Sequence, residues 1–417
     1  MIIRTTCRVC EGALTPILSL GDQYVSDFLK PGEVEHARAP LELVLCRRCH
    51  LLQLKHTVSP EHMYRNYWYR SGTNKTMRDA LANIANTAEQ LTPLRDGDCV
   101  LDIGCNDGTL LASYKTGGIH KIGFDPAQNL APYAQRIADT FVNNFFTAEE
   151  FQRQPALAQR RPKIITSIAM FYDLEDPKQF VADIKKVMDP DGLWVVQMAY
   201  LPLMLKTNEV GNICHEHLEY YSMQSFVYLL EQFDFEVVDV ELNEINGGSF
   251  RCYIRNRGAD PRLFGDATYR RLAEDRVRAL QAEEIKLGLD DIRPYHEFAF
   301  WVERLKADVG DFIRAEVAKG KKVYVYGAST KGNTLLQYFG LDHTLITAAA
   351  ERNPDKWGLE TVGTRIPIVS EADARAAKPD YFLVLPWHFL EEFRAREKDY
   401  LLSGGRFIMP MPHFALI

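Results

Sequence analysis

Long apolar runs are missing from this chain. No stretch approaches the roughly 18 to 20 consecutive apolar residues that a bilayer-crossing helix needs, so no membrane association is expected. The opening MIIRTTCRVC has no apolar segment of the kind a secretion signal carries, and a cytoplasmic location is the expectation. Positive charge is not in excess either: a net charge of -7 and a pI near 5.9 speak against a broadly basic nucleic-acid surface. Extended disorder is excluded by an apolar share of 46% against a charged share of 25%. The remaining picture is a globular chain whose 417 residues exceed what one core organises, so two or three domains are expected.

Of the eight cysteines, four fall as two close pairs, Cys7-x-x-Cys10 and Cys46-x-x-Cys49, separated by 35 residues. In a cytosolic chain such pairs point to a metal rather than to disulfides. Four thiolates suit a tetrahedral Zn²⁺ ion, and a closed Cys₄ shell leaves no open position, so this zinc is expected to be structural. His50, next to Cys49, is expected to be a bystander.

Behind that segment the pattern turns to alternating strands and helices. VLDIGCNDG (100–108), KIGFDP (121–126), KIITSIAMFYDL (163–174) and LWVVQMAYL (193–201) read as buried parallel strands, with helices such as 76–91 and 177–188 as crossovers. A charged helical pair (269–288 and 296–320) is expected to be a solvated linker. KKVYVYGASTKGNTLLQYFG (321–340) then repeats the order strand, glycine turn, helix. The expected architecture is α/β in three parts: a zinc-binding domain (1–74), a Rossmann-like ligand-binding domain (75–255) and a second Rossmann-like domain (256–417) that includes a helical linker (265–320).

The first glycine turn lacks the GxGxxG dinucleotide fingerprint. Its pattern is Asp102-x-Gly104-x-Asn106-x-Gly108, with a helix expected to begin at about Thr109 and with Asp125 ending the next strand, where a carboxylate can hold both ribose hydroxyls. Together these suggest an adenosyl ligand, and the spacing resembles the first motif of class I methyltransferases, which implies S-adenosylmethionine as cofactor. The zinc-protease pattern is lacking too: GNICHEHLEYYS (211–222) has its two histidines at i and i+2 rather than i and i+4. Carbon methylation needs a base to remove a proton beside a carbonyl, and a histidine is suited to that.

The paired CxxC motifs, DIGCNDG, the EH of CHEH, NGGSFRCY (246–253) and YGASTKGNTLLQ (326–337) occur in the order seen in sugar C-methyltransferases, and the resemblance spans essentially the whole chain. It implies methylation at C-3 of a nucleotide-linked 4-keto-deoxysugar, the C-terminal domain helping to hold the nucleotide. By the same resemblance His217 matches the general base, Glu216 its neighbouring carboxylate, and Tyr69, with Tyr67 close behind, a tyrosine at the substrate. Ser329, Lys331, Asn333 and Glu351 are expected on the nucleotide-sugar, Lys331 at its phosphates, and Trp387 or His388 could stack on its base. Cys214 stands where relatives can carry tyrosine and Asn246 where histidine is expected before GGS, both on the substrate side. Two other readings remain: O- or N-methylation of a small molecule, and a zinc-dependent binding protein with a vestigial methyltransferase core. The oligomeric state is left open, with a monomer allowed.

Overall fold

The computed structural model describes residues 1–34 and 37–417, the side chain of His388 excepted, so the expectation for that ring lies outside the described residues. The central sheet grows from short β-branched and aliphatic runs. Cys99–Ile103, Ile164–Ile168 and Leu193–Ala199 are buried almost throughout, as befits parallel strands covered on both faces. His120–Phe124 and Thr140–Val142 extend the sheet on one side, and Ser249–Asn256 with Phe235–Asn243 close it on the other as antiparallel strands. Counted along the chain, the spatial order of the seven strands is third, second, first, fourth, fifth, seventh, sixth. Helix Lys75–Leu91 buries Leu81, Ile84, Ala85, Ala88 and Leu91, a stripe at helical spacing, and starts at Asn74, whose side chain accepts from the Thr76 amide.

A second parallel sheet follows in the C-terminal part: Val323–Tyr326 in the middle, Ala348–Glu351 and Ile368–Ser370 to one side, Tyr381–Val384 and Arg406–Met409 to the other. Both sheets therefore reverse strand order beside their first strand. That reversal opens a crevice at the carboxyl ends of the strands, the standard ligand position in open α/β sheets.

The N-terminal sheet is antiparallel, built on Leu14–Tyr24, Arg38–Cys46 and Leu52–Leu54, and it is not self-contained. Glu219–Tyr220, from the middle of the chain, adds the fourth strand by pairing with Leu52 and Gln53, and Glu360–Thr361 pairs with Phe28–Leu29. Two expectations are corrected here. The helix expected from Thr109 is only a 3₁₀ turn, Leu111–Ser113; the Asp107 carboxylate accepts from both the Thr109 amide and hydroxyl, a local arrangement that competes with helix continuation.

The charged helical pair, Ala267–Leu287 and Arg293–Ala318, is not a solvated linker. The second helix buries Tyr295, Phe298, Val302, Leu305, Val309 and Ile313 in a core shared with residues of the N-terminal and C-terminal sheets. From the first, the buried Glu284 accepts the amides of Met223 and Gln224 at the start of another helix, where negative charge is favoured.

Candidate active site

The N-terminal cysteines meet. Their four sulfurs lie within 4.8 Å of one another, with Cys7 and Cys49 3.5 Å apart and Cys10 and Cys46 3.3 Å apart. A tetrahedron with Zn–S bonds of about 2.3 Å has edges of about 3.8 Å, so the set fits zinc with little movement. Each pair closes a knuckle. Glu11 and His50 adopt left-handed φ values of 59° and 58°, their amides return to the Cys7 and Cys46 carbonyls, and the Val9 and Arg48 amides donate to the Cys7 and Cys46 sulfurs. Hydrogen bonding from the Cys49 thiol pulls the Cys7 thiol down to about 5, so one thiolate forms readily at this site. His50 lies outside the ligand set.

One cavity of about 450 Å³ spans the crevices of both parallel sheets. Its walls include Asp102, Gly104 and Ala169 from the central sheet, and Ser329, Lys331 and Leu385 from the C-terminal one. A small-molecule site of ordinary size thus draws on two switch points at once.

At the first switch point Gly104 takes φ +71° and Gly108 φ +80°. Gly104 is a cavity wall where any Cβ would come within 3.2 Å of the Met170 side chain; Gly108 shapes the turn from outside the cavity, packed on Ile137. Asp125 ends the neighbouring strand, and its two carboxylate oxygens accept from the Asn106 and Ala127 amides at 2.7 and 2.8 Å. Each oxygen keeps a lone pair for a ribose hydroxyl. Burial pushes the Asp125 carboxyl up to about 6 and the Asp102 carboxyl up to about 7, the latter although the Thr166 hydroxyl donates to it. Asn106 lines the cavity and ties the turn to the Tyr69 carbonyl through its side-chain amide. These residues form a cradle that fits S-adenosylmethionine.

Opposite lies 210–223, buried throughout. The His217 amide closes a turn onto the Cys214 carbonyl, and the chain then enters the N-terminal sheet through Glu219–Tyr220. Within the turn, His215 points away, its Nε2 on the Ala39 carbonyl, whereas His217 and Glu216 line the cavity. His217 Nδ1 lies 2.9 Å from the Asn212 carbonyl, which can only accept, so Nδ1 carries the proton and Nε2 the lone pair. Burial, reinforced by the Lys331 cation, holds His217 well below the usual histidine range, leaving it neutral. Burial pushes the Glu216 carboxyl up to about 7, with Lys331 pulling the other way.

Lys331 is thus placed beside Glu216 and His217: its Nζ donates to Asn212 Oδ1 at 2.8 Å. Ser329 lines the cavity and caps helix Thr330–Phe339 by accepting from the Gly332 amide. Tyr67 and the half-exposed Tyr69 also line the cavity. Two expected substrate residues do not reach it. The Asn333 amide donates to the Asp27 carbonyl, and Glu351 accepts from the amides of Ala328, Arg352 and Asn353, so both hold loops in place. Trp387 is half-buried and donates to Glu209. Asn246 lines the cavity with a left-handed φ of 56°; Cys214 lies buried beneath the wall.

Sequence reasoning missed Asp173, Tyr64 and Tyr172. Asp173 is a half-buried cavity-wall carboxyl, held well above the usual range by desolvation and by the nearby Glu216. The Tyr64 hydroxyl donates to the Glu216 carbonyl, and the Tyr172 ring lies 4.4 Å from that of His217. One signal was present: FYDLED puts a carboxyl just past a strand end, where Ala169, at φ 54°, turns the chain sharply into the cavity wall.

The fold and this site define an S-adenosylmethionine-dependent methyltransferase with a Cys₄ zinc domain. Family models match in three stretches: a zinc binding domain over residues 7–64, a methyltransferase domain over 69–240 and a C-methyltransferase C-terminal domain over 244–412. C-methyltransferase NovU of Streptomyces niveus is 32% identical over 413 residues, 97% of this chain and 95% of that one, and the chain belongs to this C-methyltransferase family. The ubiquinone biosynthesis O-methyltransferase of Pasteurella multocida (strain Pm70) is 30% identical over 147 residues, 32% of this chain and 59% of its own. Among solved structures, magnesium protoporphyrin IX methyltransferase (ChlM) from Synechocystis PCC 6803 with bound SAM matches at 13% identity and a TM-score of 0.31, covering 43% of this chain and 78% of that one.

Proposed function

We propose that this enzyme methylates the carbon beside a ketone, C-3 of a nucleotide-linked 4-keto-deoxysugar, with His217 as general base. The observation that carries the reading is a neutral imidazole with a fixed tautomer in the wall of a cavity that joins the cofactor turn to the C-terminal turn. His217 Nε2 takes the C-3 proton. Negative charge then spreads onto the 4-keto oxygen, and Lys331 is the cation placed to stabilise it. A low-affinity imidazole is a weak base in the empty site, but the enolate charge offsets the Lys331 cation, and the Glu216 carboxylate balances the imidazolium as it forms. S-adenosylmethionine, when bound, would supply an electrophilic methyl group; the chain's own part is to hold the cofactor and the activated carbon in one cavity. Asp125 would hold its ribose, and Asp102 with the Gly104 backbone its methionine part; Tyr67 and Tyr69 orient the sugar. Ser329 and the first amides of helix Thr330–Phe339 face the diphosphate, for which a helix start is suited. The likeness to NovU, a C-methyltransferase, supports this reading over O- or N-transfer.

The test is hydrogen exchange. Incubated in deuterated water with dTDP-, GDP- or CDP-linked 4-keto-deoxysugars and without methyl donor, the enzyme exchanges the C-3 hydrogen of its substrate, and His217→Gln does not. Methylated product formed on oxygen, or carbon methylation surviving in His217→Gln, overturns the assignment.

A further inference from the structure

The sequence around the base holds a second set of metal donors. Cys214, Glu216 and His217 each offer one donor atom, and these three atoms lie within 4.8 Å of one another. Local backbone brings them together. The turn closed by the His217 amide on the Cys214 carbonyl puts residues i, i+2 and i+3 around one point, while His215, at i+1, is turned outward to the Ala39 carbonyl. The pattern Cys-x-Glu-His is like one Cys-x-x-Cys knuckle with its second cysteine replaced by His217 and with Glu216 added as a third donor.

Three further features suit a metal. With Nδ1 donating to the Asn212 carbonyl, Nε2 is the donor nitrogen; a metal-bound histidine is usually oriented in this way, its other nitrogen on a carbonyl or carboxylate. The Glu216 side chain is 9% exposed, lines the cavity and forms no hydrogen bond with the described residues. The local groups are also mostly acidic: Cys214, Glu216 and Asp173, with Glu219 in reach of Asp173, surround the single positive charge of Lys331. A bound dication offsets the negative charge that their ionisation brings.

We propose that Cys214, Glu216 and His217 form a second metal site, distinct from the Cys₄ site, which takes a Zn²⁺-class ion with its fourth position open to the cavity. Sulfur, nitrogen and carboxylate donors with one open position suit tetrahedral Zn²⁺ or Co²⁺ and not Mg²⁺ or Ca²⁺. Binding displaces the Cys214 proton to solvent, forms three metal bonds and consumes the Nε2 lone pair. The metal and the substrate proton therefore compete for the same electron pair, and an ion seated here inhibits the enzyme. The site itself stands on donor geometry; only the inhibition rests on His217 being the base.

Full-length protein carrying its single structural zinc is titrated with Co²⁺ alone, while absorption, bound cobalt and retained zinc are followed. One further equivalent should bind with thiolate-to-cobalt charge transfer, with the first zinc retained. Cys214→Ala should lose the charge-transfer band and keep its zinc and melting temperature; His217→Gln should shift the visible bands and weaken binding, which keeps the test informative if the cysteine variant folds poorly. No second equivalent, a second equivalent without charge transfer, bands that persist in Cys214→Ala, or cobalt uptake matched by zinc release each overturn the site. Hydrogen exchange at the substrate carbon should then fall in parallel with occupancy. Exchange that is absent even without added metal counts against His217 as base and leaves the metal site standing; exchange that is undiminished at full occupancy overturns the inhibition.

Discussion

The two glycine turns of this chain share a topology and differ in use. Each leaves the middle strand of a parallel sheet at the point where strand order reverses, and each contributes to the same cavity. At the first, the acidic groups Asp102 and Asp125 stay turned toward the cavity and keep lone pairs for a ligand. At the second, the corresponding polar groups are largely occupied by protein: Glu351 by three backbone amides, Asn333 by the Asp27 carbonyl and Lys331 by Asn212. A strand ending in a glycine turn provides an opening, and the neighbours packed on it decide whether that opening binds a cofactor or serves the chemistry of another domain.

Breaking the shared wall should have the largest effect. The N-terminal sheet touches both halves, and Arg8, buried beside the zinc knuckle, bonds Gln53, whose amide donates to Cys7; its guanidinium also faces the buried Glu219, two residues beyond His217. Removing zinc by chelation, or replacing Cys46 and Cys49 with Ser, is expected to lower the melting temperature and abolish activity together, because structural zinc supplies folding free energy of about 10 kcal/mol. Zinc content, calorimetry and turnover measured on one sample check this; an unchanged melting temperature in zinc-free protein refutes the Cys₄ role.

Lys331→Met tests the second turn. As the partner of the enolate it should cost about 100-fold or more in kcat, whereas a phosphate ligand alone would chiefly raise KM. Because Lys331 also pulls the Glu216 carboxyl down, the variant should move the rising limb of the pH profile for kcat/KM to higher pH. At the first turn, Asp125→Ala should weaken S-adenosylmethionine binding roughly 10- to 100-fold in isothermal titration, the loss of charged hydrogen bonds to ribose; unchanged affinity sinks that assignment.

A smaller effect concerns pH and stability. The folded Glu216 carboxyl sits at about 7, above its ordinary 4.5, so between those values the native state holds more protons than the unfolded one and loses stability as pH rises. Glu216→Gln removes this dependence, and its melting temperature relative to the parent should increase from pH 5 to pH 8. The smallest change in cofactor binding is expected for Glu351→Ala, which frees the Ala328, Arg352 and Asn353 amides at a cost of about 1 kcal/mol of stability for each lost hydrogen bond and leaves S-adenosylmethionine affinity unaltered. A large drop in that affinity would show the two turns to be coupled more tightly than their contacts indicate.

Local chemistry was legible wherever it depends on spacing along the chain. Both CxxC pairs, the Asp-x-Gly turn, Asp125 at the next strand end and the helix stripe from Leu81 to Leu91 are short-range patterns, and each forms the structure its spacing implies. The charged pair after residue 265 misled because charge along a helix reports its exposed face, while the apolar stripe from Tyr295 to Ile313 had to find a core made by two other parts of the chain. For Lys331 the sequence showed only a lysine at a helix start, which suits phosphate; its contact with Asn212, 119 positions away, became visible only in the fold.

By itself, then, the amino-acid sequence determined the central strands of the two parallel sheets, the paired cysteines and the glycine turn followed by Asp125, since these follow from backbone periodicity and from residues a few positions apart. Only the tertiary structure decided which side chains share the cavity. Burial shifts Glu216, Asp173 and His217 away from their ordinary proton affinities, and the contacts that orient them come from three sheets whose strands cross between domains, so their roles depend on an environment no single segment contains.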